Sequence, residues 1–235
     1  LALTFLHTND WHGTLDDRLE AALAQWRREA DLFFDTGDAI KAGNLGVPLR
    51  PESVWPRLAR LNCTASVIGN RETHVLESAF QAKLSGVSHP VLCANLRRKD
   101  GSRPLPANLL LEVCGLRVAV FGVSVPMVTE RMKTAFASTF LWDPPLEVAK
   151  AQIADLRPKA DLLIALTHIG YRQDRALAEL GGVDIILGGH SHTVLSTPEK
   201  VGNTYIAQGG SHGRFVGRYE WDGKVLTGGL LPLKA

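Results

Sequence analysis

No stretch of this 235-residue chain approaches the roughly 18 consecutive apolar residues of a membrane-crossing helix, so no membrane span is expected. Charge of one sign is not in excess either. Lys and Arg number 26 against 24 Asp and Glu, a net charge of +2. That balance removes the usual electrostatic reason to expect a nucleic-acid duplex or a membrane surface as partner. There is no Ser/Gly linker, charge block, low-complexity tract or internal repeat, so residues 1–235 are expected to form a single domain. Cysteine is scarce: Cys63, Cys93 and Cys114 are an odd, scattered set in apolar surroundings. Their spacing suits neither a disulfide framework nor a metal site, and they read as small buried residues. Such usage favours a reducing, cytoplasmic compartment. No leader pattern is read before the first strand-like run, Leu1 to Leu6, so none is expected in this sequence; one removed before Leu1 would place the protein in the periplasm or outside the cell. The 45% hydrophobic and 21% charged residues that remain are ample for a globular core.

Apolar runs of strand length alternate with helical patterns. Leu1–Leu6, Asp31–Phe34, Thr64–Ile68, Pro90–Ala94, Asp161–Leu166 and Val183–Leu187 read as buried strands. Helices are expected over Asp16–Ala30, with Asp16 or Asp17 as cap, and over Glu52–Leu61, Val75–Leu84, Leu146–Leu156 and Arg172–Leu180. Leu109–Val113 and Leu116–Val123 flank Cys114-Gly115 as a hairpin, which implies a partly antiparallel sheet. Thr204–Gln208, Phe215–Trp221 and Lys224–Leu230 read as further strands. Asn95–Asn108 reads as a basic loop whose Arg97, Arg98, Lys99 and Arg103 form a solvated face. Val125–Pro145 has no clean period and reads as a long loop with room for a short helix.

The chemistry-bearing residues sit just past these apolar runs, where open α/β sheets place their sites. Gly188-Gly189-His190-Ser191-His192 sets two imidazoles two residues apart on a turning segment, so both can reach one small volume. Taken alone, His-x-His equally describes a loop with two surface histidines. Asp10 and His12 follow the first strand, and a carboxylate beside an imidazole suits Mn, Fe or Zn better than Ca or Mg. Asp38 follows the second strand, Asn70 the third, and His168 a later one. His7 reads as a packing or structurally bonded residue, and Asp35 as a strand residue bonded to backbone. Arg71 and His74 stand where they could meet an anion, although Arg71 and Glu72 could equally be a surface ion pair of little consequence. His212 is placed to approach the same site as a substrate contact, or to be an ordinary loop histidine.

In this order, D-x-H, G-D, G-N-x-E, a lone H and G-H-x-H, the chain resembles the calcineurin-like metallophosphoesterases. His7-Thr8-Asn9-Asp10-Trp11-His12-Gly13 and Gly188-Gly189-His190-Ser191-His192-Thr193 look like the 5′-nucleotidase and 2′,3′-cyclic phosphodiesterase branch. The resemblance implies an α/β fold, a four-layer α/β/β/α sandwich with two mixed sheets and two divalent metals (Mn, Fe or Zn) at one edge. It assigns Asp10, His12 and His192 to one metal, Asn70, His168 and His190 to the other, and Asp38 to both. Two adjacent cations need a shared anion to offset their repulsion, and a pair of them generates hydroxide and neutralises phosphate oxygens.

Two departures qualify the inheritance. The family's G-N-H-E is Gly69-Asn70-Arg71-Glu72 here, and the aspartate three residues on in the nucleotidase branch is His74. Arginine can clamp phosphate but cannot give up its proton near neutral pH, so Arg71 would stabilise charge while His74 would be the acid. Asn70, Arg71 and His212 would contact substrate. The chain also ends before the separate carboxy-terminal nucleotide-specificity domain of family nucleotidases, so an open site is expected. The expectation is therefore a two-metal phosphohydrolase acting on small phosphate mono- or diesters, nucleotide-like or aryl. Its rival is a non-catalytic metal-dependent binding or scaffold protein in which Arg71 marks lost chemistry.

Overall fold

The computed structural model describes residues 2–233. In chain order the elements are β1 (Leu3–Thr8), α1 (Asp17–Arg27), β2 (Leu32–Asp35), α2 (Val54–Arg60), β3 (Ala65–Val67), α3 (Glu77–Lys83), β4 (Val91–Leu92) and β5 (Leu96–Arg98). Then come β6 (Asn108–Val113), β7 (Leu116–Ser124), β8 (Phe140–Trp142), α4 (Pro145–Leu156), β9 (Leu162–His168), α5 (Tyr171–Leu180) and β10 (Ile185–Gly188). Strands β11 (Glu199–Val201), β12 (Thr204–Ala207), β13 (Phe215–Trp221) and β14 (Leu226–Pro232) complete it. Asp16 caps α1 by accepting the Leu19 N–H at 2.8 Å, as expected.

Two six-stranded mixed sheets result, ordered β14-β13-β1-β2-β3-β4 and β11-β12-β10-β9-β7-β6. Strands β1, β2, β3 and β4 run parallel in the first, with antiparallel pairing only on the β13-β14 side; β7, β9, β10 and β12 run parallel in the second, with antiparallel β6 and β11 at its two edges. The central strands are mostly apolar because both faces are buried, with polar residues such as His7, Asp35 and His168 gathered toward their carboxyl ends, and the period of two decides which face each residue serves. Leu3, Phe5, Leu32 and Phe34 of the first sheet meet Val118, Val120, Leu162, Ile164, Ile185 and Leu187 of the second in an inner core. Leu6 and Phe33 point the other way, onto α1 and α2. Leu163, Ala165 and Ile186 likewise face α4 and α5. The layers are helix, sheet, sheet, helix. At Gly122 the sheets approach so closely that a Cβ there would lie 2.8 Å from that of Leu92.

Several expectations need correction. Strand β1 runs two residues past Leu6 to Thr8, and the strand expected from Lys224 starts at Leu226; Leu1 itself lies outside the described residues. The two stretches read as loops each hold a strand, β5 and β8, which pair with each other as a two-stranded ribbon. The short helix of the second stretch is a 3-10 turn, Lys133–Ala137. The basic residues there are not merely solvated: Arg97 bonds Asp143 and Glu130, and Arg98 bonds Glu77. Cys63 and Cys93 are buried, but Cys114 is exposed at the tip of the β6–β7 hairpin. Its φ of 51° beside 73° at Gly115 is the left-handed pair that a two-residue hairpin turn requires. Among the described residues no helix is long and apolar enough to cross a membrane.

Candidate metal centre

The carboxyl ends of β1, β2, β3, β9 and β10 lie at one edge of the sandwich, and the chain leaves each in a sharp turn. Asp10, His12, Asp38, His190 and His192 all have left-handed backbones, with φ of 53°, 50°, 52°, 74° and 54°. His212, at 58°, joins them. Non-glycine residues are uncommon there and cost about 1 kcal/mol or more each, which marks these turns as places where geometry is set by more than folding.

The side chains form two groups. In the first, His12 Nε2 is 3.0 Å from His192 Nε2, and Asp10 Oδ1 is 3.7 and 3.3 Å from those two atoms. In the second, Asn70 Oδ1 is 3.2 Å from His168 Nε2 and 2.9 Å from His190 Nδ1. Asp38 reaches toward both, its Oδ1 3.5 Å from His168 Nε2 and its Oδ2 4.0 Å from His12 Nδ1. Donors held about 2.1 Å from one ion stand about 3 to 3.4 Å apart, and the spacings above, 2.9 to 3.7 Å, lie close to that range.

The donors fit cations on chemical grounds as well. Asp10 Oδ1 is buried, and among the described residues it has no hydrogen-bond partner. Asp10 Oδ2 accepts from the Asn9 amide at 2.7 Å and from the His190 N–H at 2.9 Å, which aims the other oxygen. His168 Nδ1 is 2.7 Å from the Thr36 carbonyl, so Nδ1 carries the proton in the neutral ring and Nε2 presents a lone pair toward Asn70 Oδ1 and Asp38 Oδ1. A lone pair facing two oxygens is repulsive unless a positive charge stands between them. The ring accordingly holds a proton above its ordinary pKa: burial acts the other way, but Asp38, Asp10, the Thr36 carbonyl and Glu72 together outweigh it. His12 is pushed down to about 4 by burial and then Arg71, and burial then His168 lower His190, so both rings are neutral near pH 7, the form that can ligate a cation.

Residues that the sequence did not single out hold these donors. Glu72 is not a surface ion-pair partner: it is buried and accepts the N–H groups of Asp38, Ile40 and Gly69 at 2.9, 3.1 and 2.8 Å. Gln208 Oε1 accepts from Thr193 N–H and Ser191 Oγ, and its amide donates to the Gly189 carbonyl, fixing the His190–His192 turn. Gly189 is there because a Cβ would lie 2.7 Å from the Thr36 carbonyl oxygen. Glu72 was legible only as the last residue of G-N-x-E, with no role at the site attached, and Gln208 had no signal beyond proximity to a donor, which many residues share.

The remaining expected residues divide. Arg71 lines the cavity with His12, Asp38, Asn44, Asn70, His190 and His192, and its Nε is 3.8 Å from Asp38 Oδ2. The His212 ring packs on that of His12 at 4.7 Å between centroids. His74 is not brought to the donors. The turn closed by Thr73 N–H to the Asn70 carbonyl carries it to a neighbouring cavity, where its Nδ1 accepts from Leu76 N–H. Burial and then the Lys83 charge lower its pKa, which works against an acid role near neutral pH. His7 is buried on Thr36 and pushed down to about 3 by burial, and Asp35 accepts from Thr8 Oγ1 and Gly37 N–H; both are structural, as expected.

A profile of calcineurin-like phosphoesterases matches residues 3–194. The chain belongs to that family. Among its relatives, the Bacillus subtilis metallophosphoesterase YunD is 29% identical over 240 residues, covering 93% of this chain and 49% of YunD. A 5′-nucleotidase of Vibrio vulnificus is 27% identical over 273 residues, covering 94% of this chain and 48% of the nucleotidase. The crystal structure of a 5′-nucleotidase precursor from Thermus thermophilus superposes with a TM-score of 0.80 at 25% identity, over 99% of this chain and 54% of that one. This family domain thus spans about half the length of the curated relatives it matches.

Proposed function

We propose that this chain hydrolyses phosphate esters at two divalent cations. Asp10, His12 and His192 would hold one, Asn70, His168 and His190 the other, and Asp38 both. The observation that carries this reading is the pair of three-donor groups at single-ion spacing with one carboxylate reaching toward each. When bound, such cations supply Lewis acidity for the phosphate oxygens and make water acidic enough to attack near neutral pH.

The protein's own groups do the rest. Glu72 and the Arg71 N–H, which donates to Asp38 Oδ1 at 2.7 Å, fix the shared carboxylate. The Arg71 guanidinium, about a third exposed at the cavity mouth and braced on the Lys41 carbonyl, is placed to bind a phosphoryl oxygen. Asn44 accepts from the Asn70 amide at 2.9 Å, turning the Asn70 carbonyl oxygen toward the two imidazoles. His212 walls the site beside His12 and is a substrate contact. The substrate class is a small phosphate mono- or diester with a nucleotide-like or aryl group, in keeping with the 5′-nucleotidases among the relatives.

Metal analysis with a phosphate-ester panel in Mn2+ tests the reading. The expected result is two cations per chain and turnover that Asp38→Asn lowers by at least about a thousandfold. Two bound cations without turnover of any ester would favour the metal-dependent binding protein instead, a reading to which the absence of a proton donor at position 71 lends weight.

A further inference from the structure

Beside the metal donors lies a second, open cavity of about 210 Å3, and its chemistry is the opposite of theirs. Leu45, Val75, Met127, Val128 and Trp142 line it, with the His74 ring at its edge. We propose that this cavity binds the organic part of the substrate, a planar aromatic group carrying a hydrogen-bond acceptor, while the phosphate sits among the donors. The inference rests on the phosphoesterase reading above and adds to it the group on the far side of the scissile bond.

Three observations support it. The first is continuity. Asn44 lines both cavities, and one turn supplies Asn70 and Arg71 to the donor cavity and Thr73 to Val75 to this one. A substrate anchored by its phosphate therefore has its next atoms within a few residues' reach of the apolar walls. The second is size. An apolar cavity of about 150 Å3 accepts benzene, so this one admits one or two fused rings. The third is an unmet donor. Trp142 is nearly wholly buried, and among the described residues its indole Nε1 has no hydrogen-bond partner, whereas buried indoles usually find one. That nitrogen is covered by the protein, so an acceptor on the bound ring would meet it only once the indole turns toward the cavity that Trp142 lines. His74 adds a second donor, because accepting at Nδ1 leaves the neutral ring's proton on Nε2.

The test uses esters whose leaving groups are all simple alcohols: ethyl, benzyl and pyridin-3-ylmethyl phosphate, with the Mn2+-loaded chain. The ring is expected to raise kcat/KM over ethyl phosphate by about tenfold, chiefly through KM, and the pyridine nitrogen to add to this. Leu45, 83% exposed, can become Ser without disturbing the core, and Leu45→Ser should shrink the aromatic-to-ethyl ratio several-fold. Trp142→Phe, which keeps the shape and deletes the N–H, should erase the pyridyl advantage over benzyl. An aromatic-to-ethyl ratio near one in the unaltered protein, or one that Leu45→Ser leaves unchanged, overturns the proposal. If no ester is turned over, the phosphoesterase reading has failed and the cavity is judged by itself. Saturation-transfer NMR with pyridin-3-ylmethanol on the metal-free protein should then show binding that weakens in both variants, and no binding by the unaltered protein overturns it.

Discussion

At Arg71 the site presents a guanidinium, a group suited to clamping phosphate oxygens rather than to general-acid work. It can draw charge off a phosphoryl group but cannot protonate a departing alkoxide. His74, the group expected to do so, lies in the neighbouring cavity with a lowered pKa. Hydrolysis should therefore depend steeply on leaving-group acidity, with aryl phosphates far ahead of alkyl monoesters. Arg71→His should flatten that dependence and raise kcat/KM for alkyl monoesters by about 10- to 100-fold, the range of general-acid help. A series of esters plotted against leaving-group pKa checks both statements, and a variant slope equal to that of the unaltered protein would refute them. Buried carboxyls set the pH dependence of stability, Asp174 and Asp35 among them, both pushed up to about 7 by burial. Asp174 is buried beneath the site with one oxygen on Thr167 Oγ1 and the other without a hydrogen-bond partner among the described residues; burial pushes it up to about 7. Between about pH 4 and 7 the unfolded chain has released this proton and the native protein has not, so stability from this group falls as pH rises through that window. Urea titrations of metal-free protein should show Asp174→Asn gaining on the unaltered chain at pH 7 relative to pH 4.5. At this scale the sequence was most legible for donors that follow an apolar strand. It was least legible for Glu72 and His74, because two residues of turn decide whether a side chain faces the site, the core or the next cavity.

Among the elements, α3 does more than pack. Its last residue, Lys83, is buried and donates to the carbonyls of Gly43, Asn44, Arg71 and Thr73 at 2.8, 2.9, 2.6 and 2.9 Å. One ammonium thus ties the loop bearing Asn44 to the turn bearing Asn70 and Arg71. Lys83→Met leaves four carbonyls without their donor and should cost about 2–4 kcal/mol in denaturant unfolding. It should also raise KM more than it lowers kcat, since the phosphate clamp moves while the metal donors stay. Nothing in the sequence marked Lys83, which ends an ordinary helical pattern. Short strands were visible only where they lie in a longer apolar run, as β3 and β4 do, whereas the three-residue β5, β8 and β11 sit in polar or irregular surroundings. The pairing of β5 with β8 joins segments some 40 residues apart, and no local signal encodes such a contact.

For the whole molecule, the layering was legible because buried strands carry no polar face, but the strand order was not. That order matters, since it sets the tips of β1, β2 and β3 opposite those of β9 and β10. Each donor group draws on both sheets: His192 from the second joins Asp10 and His12 from the first, and Asn70 from the first joins His168 and His190 from the second. Direct bonds already cross the seam, from His190 N–H to Asp10 and from Thr36 Oγ1 to the Gly188 carbonyl. Cations held here would add to those links. At one hundred times the dissociation constant a cation binding only the folded form contributes about 2.7 kcal/mol, so chelation should lower Tm measurably and addition of Mn2+ restore it. A melting curve indifferent to both would contradict the assignment. Occupancy should then be felt far from the site: backbone amides along β1 and β9 would exchange with solvent faster once the cations are stripped, and a protease would find the emptied protein the easier meal.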